Sequence, residues 1–86
     1  MGLFHQHQKA IRHFSEALRI KPDYAEAHNS MGIALARNED FQKAITHFRE
    51  AIKLKPDFHQ SRMYLKNAIE DLERIEKVKK SNHSLP

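Results

Sequence analysis

The sequence has no cysteine and no tryptophan, and only two glycines and three prolines among its 86 residues. Without cysteine there is no disulfide, no thiolate metal site and no cysteine nucleophile. With two glycines there is no glycine-rich loop to cradle a phosphate. Long hydrophobic runs are also missing. The longest stretch of apolar or glycine residues is Met31 to Ala36, far short of the ~20 residues that span a bilayer. No signal peptide is visible, because Met1–Phe4 leads straight into His5-Gln6-His7-Gln8. Gln6 stands where a myristoylation signal after Met1-Gly2 needs Ser or Thr. No membrane insertion is therefore expected, and the expected location is cytoplasmic. The chain is nonetheless no disordered one, with 40% hydrophobic and 30% charged residues. A chain this small buries roughly 60–65% of its unfolded surface. That suffices for one small domain, but not for a core and a deep catalytic cleft together.

The net charge of +4 comes from 15 basic and 11 acidic residues that are interspersed. The densest basic cluster is Lys77, Lys79 and Lys80. Nucleic-acid domains gather Lys and Arg on one face beside stacking aromatics. Here Phe4, Phe14, Tyr24, Phe41, Phe48, Phe58 and Tyr64 all fall at packing positions of helices or their ends. The charge reads as a solvated surface, and no specific nucleic-acid partner is expected.

What the sequence has in abundance is self-similarity. Shifted by 34 residues, Gln8–Tyr24 falls on Gln42–Phe58. Eleven pairs are identical: Gln8/Gln42, Lys9/Lys43, Ala10/Ala44, Ile11/Ile45, His13/His47, Phe14/Phe48, Glu16/Glu50, Ala17/Ala51, Lys21/Lys55, Pro22/Pro56 and Asp23/Asp57. Leu18/Ile52, Arg19/Lys53, Ile20/Leu54 and Tyr24/Phe58 are close exchanges. A fixed period of this length marks a repeat architecture. Within the unit Ala10, Ile11, Phe14, Ala17 and Leu18 recur at helical steps, as do Phe41, Ala44, Ile45, Phe48, Ala51 and Ile52. Pro22 and Pro56 push Lys21 and Lys55 out of the α region and end those helices. Asp23 and Asp57 then read as N-caps, with Glu26 and Gln60 three residues on. The next helix carries Ala27, Met31, Gly32, Ile33 and Leu35 and breaks at Arg37-Asn38-Glu39-Asp40. No strand alternation occurs. The expectation is an all-α chain of about four helices, near 3–20, 24–37, 41–54 and 57–80, each antiparallel to its sequence neighbours. Phe14, Gly32, Leu35, Ala44, Phe48, Ala51 and Leu65 are the expected core.

A 34-residue helix–turn–helix unit with these residues resembles the tetratricopeptide repeat, an α-solenoid family. Gly32 is the small residue of the first helix and Leu35 the large one a turn later. Phe41, Ala44, Phe48 and Ala51 match the second helix, and Pro56 closes the unit. His28 stands where the family often has tryptophan, and Glu39 where the turn usually has glycine, leaving Asn38 to take the left-handed conformation. The resemblance implies the second helix of a truncated repeat over 1–22, a complete repeat over 23–56, a long capping helix over 57–80 and a disordered tail over 81–86. It also implies the C-terminal end of a longer array. The acid-to-base pairs Glu70/Arg74, Glu73/Lys77 and Glu76/Lys80 suit a solvated cap.

Chemistry is sparse. The seven histidines are separated by 2, 6, 15, 19, 12 and 24 residues, never the three or four that put two metal ligands on one helix face. His5 and His7 could chelate only weakly, and His13 and His47 are expected on the outer face of the second helices. Glu39-Asp40 reads as a turn and Glu70–Glu76 as a solvated helix, neither an enclosure that would split carboxyl pKa values. Ser15, Ser30 and Ser61 have no His and Asp arrangement around them. Neither enzyme activity, nor a metal, nor a cofactor is expected. The resemblance implies instead a protein-interaction scaffold whose first helices line a concave groove for a peptide or partner helix. The groove residues carried over are Glu26, Asn29, Ile33 and Arg37, then Gln60, Met63, Tyr64 and Asn67. Ile33 and Tyr64 fit contacts between neighbouring helices equally well. The alternative is a self-assembling element. Leu3, Ala10 and Phe14 on the first helix, with Ile75 and Val78 on the last, are then the expected homodimer contacts.

Overall fold

In the computed structural model the described backbone covers residues 2–84 and the described side chains residues 6–80. The four helices are α1 (Gly2–Ile20), α2 (Ala25–Arg37), α3 (Phe41–Leu54) and α4 (His59–Ser84). The register of the repeat is kept to the residue. α2 and α4 begin 34 apart, at Ala25 and His59, and α1 and α3 end 34 apart, at Ile20 and Leu54. The helices pack as antiparallel neighbours, α1 on α2, α2 on α3 and α3 on α4, with a small contact between α2 and α4. α1 meets no other helix among the described residues. α4 is longer than the 57–80 expected, so residues 81–84 continue the helix and form no separate tail.

The breaks between helices differ in detail from the sequence expectation. Asp23 does not cap α2. Tyr24 is the N-cap residue, without a side-chain capping bond, and α4 likewise starts beyond Asp57. Pro-Asp instead forms the middle of a β-turn in each repeat, closed by Tyr24 N–H to the Lys21 carbonyl at 3.3 Å and Phe58 N–H to the Lys55 carbonyl at 3.0 Å. Proline pre-sets the first central position of such a turn and Asp suits the second. Over each turn the lysine returns to the aromatic ring, Lys21 Nζ at 5.2 Å from the Tyr24 centroid and Lys55 Nζ at 5.1 Å from that of Phe58. That distance is within cation–π range.

Between α2 and α3 the left-handed residue is Glu39, with φ of 64°, while Asn38 has φ of −88°. Asp40 N–H reaches the Leu35 carbonyl at 2.8 Å and Glu39 N–H the Ala36 carbonyl at 3.0 Å. These two bonds define a Schellman ending whose left-handed position is normally glycine. Glu39 therefore takes the left-handed position without being the glycine that usually supplies it. A left-handed L-residue costs roughly 1–2 kcal/mol, and the extra chain entropy lost by glycine is about 0.5–1 kcal/mol. Glu39→Gly should therefore stabilise the chain by about 0.5–1 kcal/mol, raising Tm by about 2–8 °C. A melt at or below the wild-type temperature would contradict this.

The core gathers Met31, Leu35, Ala44, Ile45, Phe48 and Ala68. Ala44, Phe48 and Ala51 are wholly buried. Phe48 stacks on Tyr64 with centroids 5.6 Å apart and planes 10° apart. Two expected core residues are only half-buried, Phe14 and Leu65. Phe14 has α2 alone to pack on, and one side of Leu65 opens on a surface groove between α3 and α4. On α4, Arg74 pairs with Asp71 at 3.1 Å and not with Glu70, since positions three and four residues apart are both within reach on a helix.

Candidate interaction face

The residues expected to line the groove come from two helical stripes. Glu26, Asn29, Ile33 and Arg37 follow α2 at intervals of three and four, and Gln60, Met63, Tyr64 and Asn67 lie on α4 in the i, i+3, i+4, i+7 pattern. The two stripes meet where α2 touches α4, and the meeting is polar. Asn29 is 4% exposed. Its Nδ2 donates to Gln60 Oε1 at 3.3 Å, and its Oδ1 accepts from Ser61 Oγ at 2.6 Å. Ser61 is wholly buried. Buried polar groups are costly unless bonded to one another, so Asn29 and Ser61 fix how α4 sits on α2. Asn29 is therefore committed to the fold and does not face an incoming chain. Ser61 carries no signal in the sequence, because its partner lies 32 residues away.

The other stripe residues divide by exposure. Ile33 and Tyr64 are half-buried and pack against the core. Met63 is 68% exposed, and Arg37 and Asn67 are open to solvent. Glu26 lies at the start of α2, where its carboxylate takes up its own backbone N–H. That bond, and then Lys55, hold its pKa below the ordinary carboxylate value. Lys55 Nζ reaches Glu26 at 3.4 Å, tying the α3–α4 turn to α2. The open part of the face is thus the apolar Met63 together with the polar side chains of Glu26, Arg37, Gln60 and Asn67.

His28 is buried at the α2–α3 interface. Its Nε2–H donates to the Pro22 carbonyl at 2.8 Å. Its Nδ1 lies 3.1 Å from Nδ1 of His47, within hydrogen-bond distance. His47 is accordingly not on an outer face, as its repeat partner His13 is, because a helix lies against that side of α3. Burial, and secondly His28, lower the His47 pKa, with Glu50 opposing weakly. The unfolded chain therefore takes up this proton more readily than the folded one near the ordinary histidine pKa of about 6.5. Stability from His47 is complete above that pH and is lost as the pH falls below it. From about pH 7.5 to 5, wild-type Tm should drop by more than that of His47→Gln. Parallel Tm profiles would remove His47 as the cause.

Among the described residues no group of three or more His, Asp or Glu side chains could hold a metal. None of their helices is long and apolar enough to cross a membrane. His5 and Leu3 lie outside the residues whose side chains are described. The fold is that of an all-α helical-repeat protein. A family model described as tetratricopeptide repeat matches residues 25–58, and one described as TPR repeat matches residues 6–39. Together they span 6–58, more than half of the chain, and the protein belongs to the tetratricopeptide repeat family. The first of these matches begins with α2, two residues from the 23–56 frame read off the prolines. No curated protein matches the chain. Repeats of this family are in general protein–protein interaction modules, and no catalytic domain is matched.

Proposed function

We propose that the chain is a non-catalytic interaction module that holds a peptide or partner helix against the face shared by α2 and α4. The observation that carries this reading is Met63, a large apolar side chain 68% exposed at the middle of the α4 stripe. Arg37 on the α2 stripe and Asn67 on the α4 stripe are also exposed. Flexible methionines suit surfaces that adapt to a ligand, and an exposed cation and amide on the same two helices can supply orientation. The test is selection of binders to the full chain from a random peptide display library. Peptides so obtained should lose at least about tenfold in affinity on Met63→Glu or Arg37→Glu. Selected peptides indifferent to both substitutions would sink the reading.

A second reading, self-assembly, is favoured by one observation. α1 packs on α2 alone, so Ala10 and Phe14 remain half-exposed, and Val78 is 54% exposed at the far end of α4 beside half-buried Ile75. Covering an Ile, Leu or Phe side chain contributes ~1.5–3 kcal/mol. Sedimentation equilibrium over about a hundredfold range of concentration separates the readings. A concentration-dependent dimer abolished by Ala10→Glu supports assembly, and a monomer throughout rejects it.

A further inference from the structure

A different face carries an apolar surface groove. Along the seam of α3 and α4, Ile52, Leu65 and Ile69 form the half-buried floor of a surface groove of about 510 Å³. Arg49, Arg62 and Lys66 stand around it, with Glu70 the one carboxylate. The 34-residue register explains its shape. Leu65, Lys66 and Ile69 are the repeat equivalents of Met31, Gly32 and Leu35 on α2. Those α2 residues are covered by α3, leaving Met31 8% and Leu35 3% exposed. The groove is therefore the seat that α3 occupies one repeat earlier, and no helix fills it among the described residues.

The sequence has changed the seat in a consistent direction. Lys66 stands in place of Gly32, Arg62 in place of His28 and Glu70 in place of Ala36. A helix can still lie there, but its axis must stand farther out and its flanks must meet cations. Arg49 and Lys66 make no ion pair or hydrogen bond. Arg62 is fixed by Nε and Nη2 on the Pro56 carbonyl at 3.0 and 2.8 Å, which leaves its charge without a carboxylate. We propose that this groove docks an acidic amphipathic helix of another protein. Its apolar stripe would lie on Ile52, Leu65 and Ile69, and its carboxylates beside Arg49 and Lys66. A second copy stacked end to end would bring α1 into the seat. α1 presents Lys9, Arg12 and Arg19 against a single Glu16, so like charges oppose that arrangement. The apolar floor between the cations fits a helix and not a phosphate backbone.

The test uses the full chain and a fluorescein-labelled helical peptide of roughly 15 residues, with leucines at steps of three and four and glutamates between them. By anisotropy the peptide should bind wild type, more weakly as salt rises from about 50 to about 300 mM. Arg49→Glu with Lys66→Glu, shown by circular dichroism to be folded, should weaken it at least about tenfold, and the same peptide with lysine for glutamate should bind as poorly. Lys9→Glu with Arg12→Glu makes the same charge change away from the groove and should leave affinity within about twofold. Failure of the acidic peptide to bind, equal binding of the lysine peptide, or equal loss in both double variants would overturn the proposal. So would end-to-end oligomers of wild type that Lys66→Glu disperses, since the occupant would then be a second copy.

Discussion

A Gly32→Leu chain is expected to melt about 10 °C or more below wild type. A Cβ at position 32 would lie 2.5 Å from Cε1, 2.7 Å from Cδ1 and 2.8 Å from Cζ of Phe48. The Phe48 ring has little room to yield, since it is wholly buried and stacked on Tyr64. Glycine costs a helix interior about 1 kcal/mol relative to residues with a side chain, so propensity alone would favour the substitution. Overpacking costs typically ~1–3 kcal/mol, and leucine pushes three further carbons into the crossing. The steric effect should win, and at ~4–8 °C per kcal/mol for a domain of this size the shift is easily read. Adding Phe48→Leu should restore part of the loss, a coupling of ~0.5–3 kcal/mol between touching residues. An unchanged melt for Gly32→Leu would mean that α2 and α3 do not cross where described.

The second large effect is Phe48→Ala. Removing a fully buried phenylalanine costs ~3–5 kcal/mol, against a total that for a chain of this length is about 4–13 kcal/mol. Phe48 touches the Gly32 crossing and stacks on Tyr64, so its loss would loosen α2 and α4 as well as α3. In urea the unfolding midpoint should fall steeply while the slope stays the same. A loss under about 1 kcal/mol would show that the core closes over the gap.

How far the sequence led is clear from particular residues. The 34-residue period, with prolines that end helices, placed the ends of α1, α2 and α3 to within a residue. Such features are local, set by backbone sterics and by apolar spacing. The left-handed position was one residue off, at Glu39 and not Asn38, because the Schellman bonds are set by where α2 ends and not by side-chain preference. Asp23 looked like a cap, but Pro22 had already drawn it into a β-turn. Along the two candidate stripes, the helical spacing was legible and the burial of each side chain was not. The burial of Asn29 depends on Ser61, and that of His47 on His28, both partners that become neighbours only once helices dock. Pairings 32 and 19 residues apart leave no periodic trace in one sequence.

The chain-neighbour packing of the helices also governs how the molecule would form and come apart. Every large helix contact joins elements consecutive in sequence, so assembly closes only short loops, the topology of fast folders. Tension applied to the two ends would meet these contacts in turn and not all at once. α1, held by α2 alone, would peel first, and α4 would follow from α3. The α2–α3 hairpin, locked where Phe48 lies on Gly32, would be the last to open. Such a molecule would yield in steps.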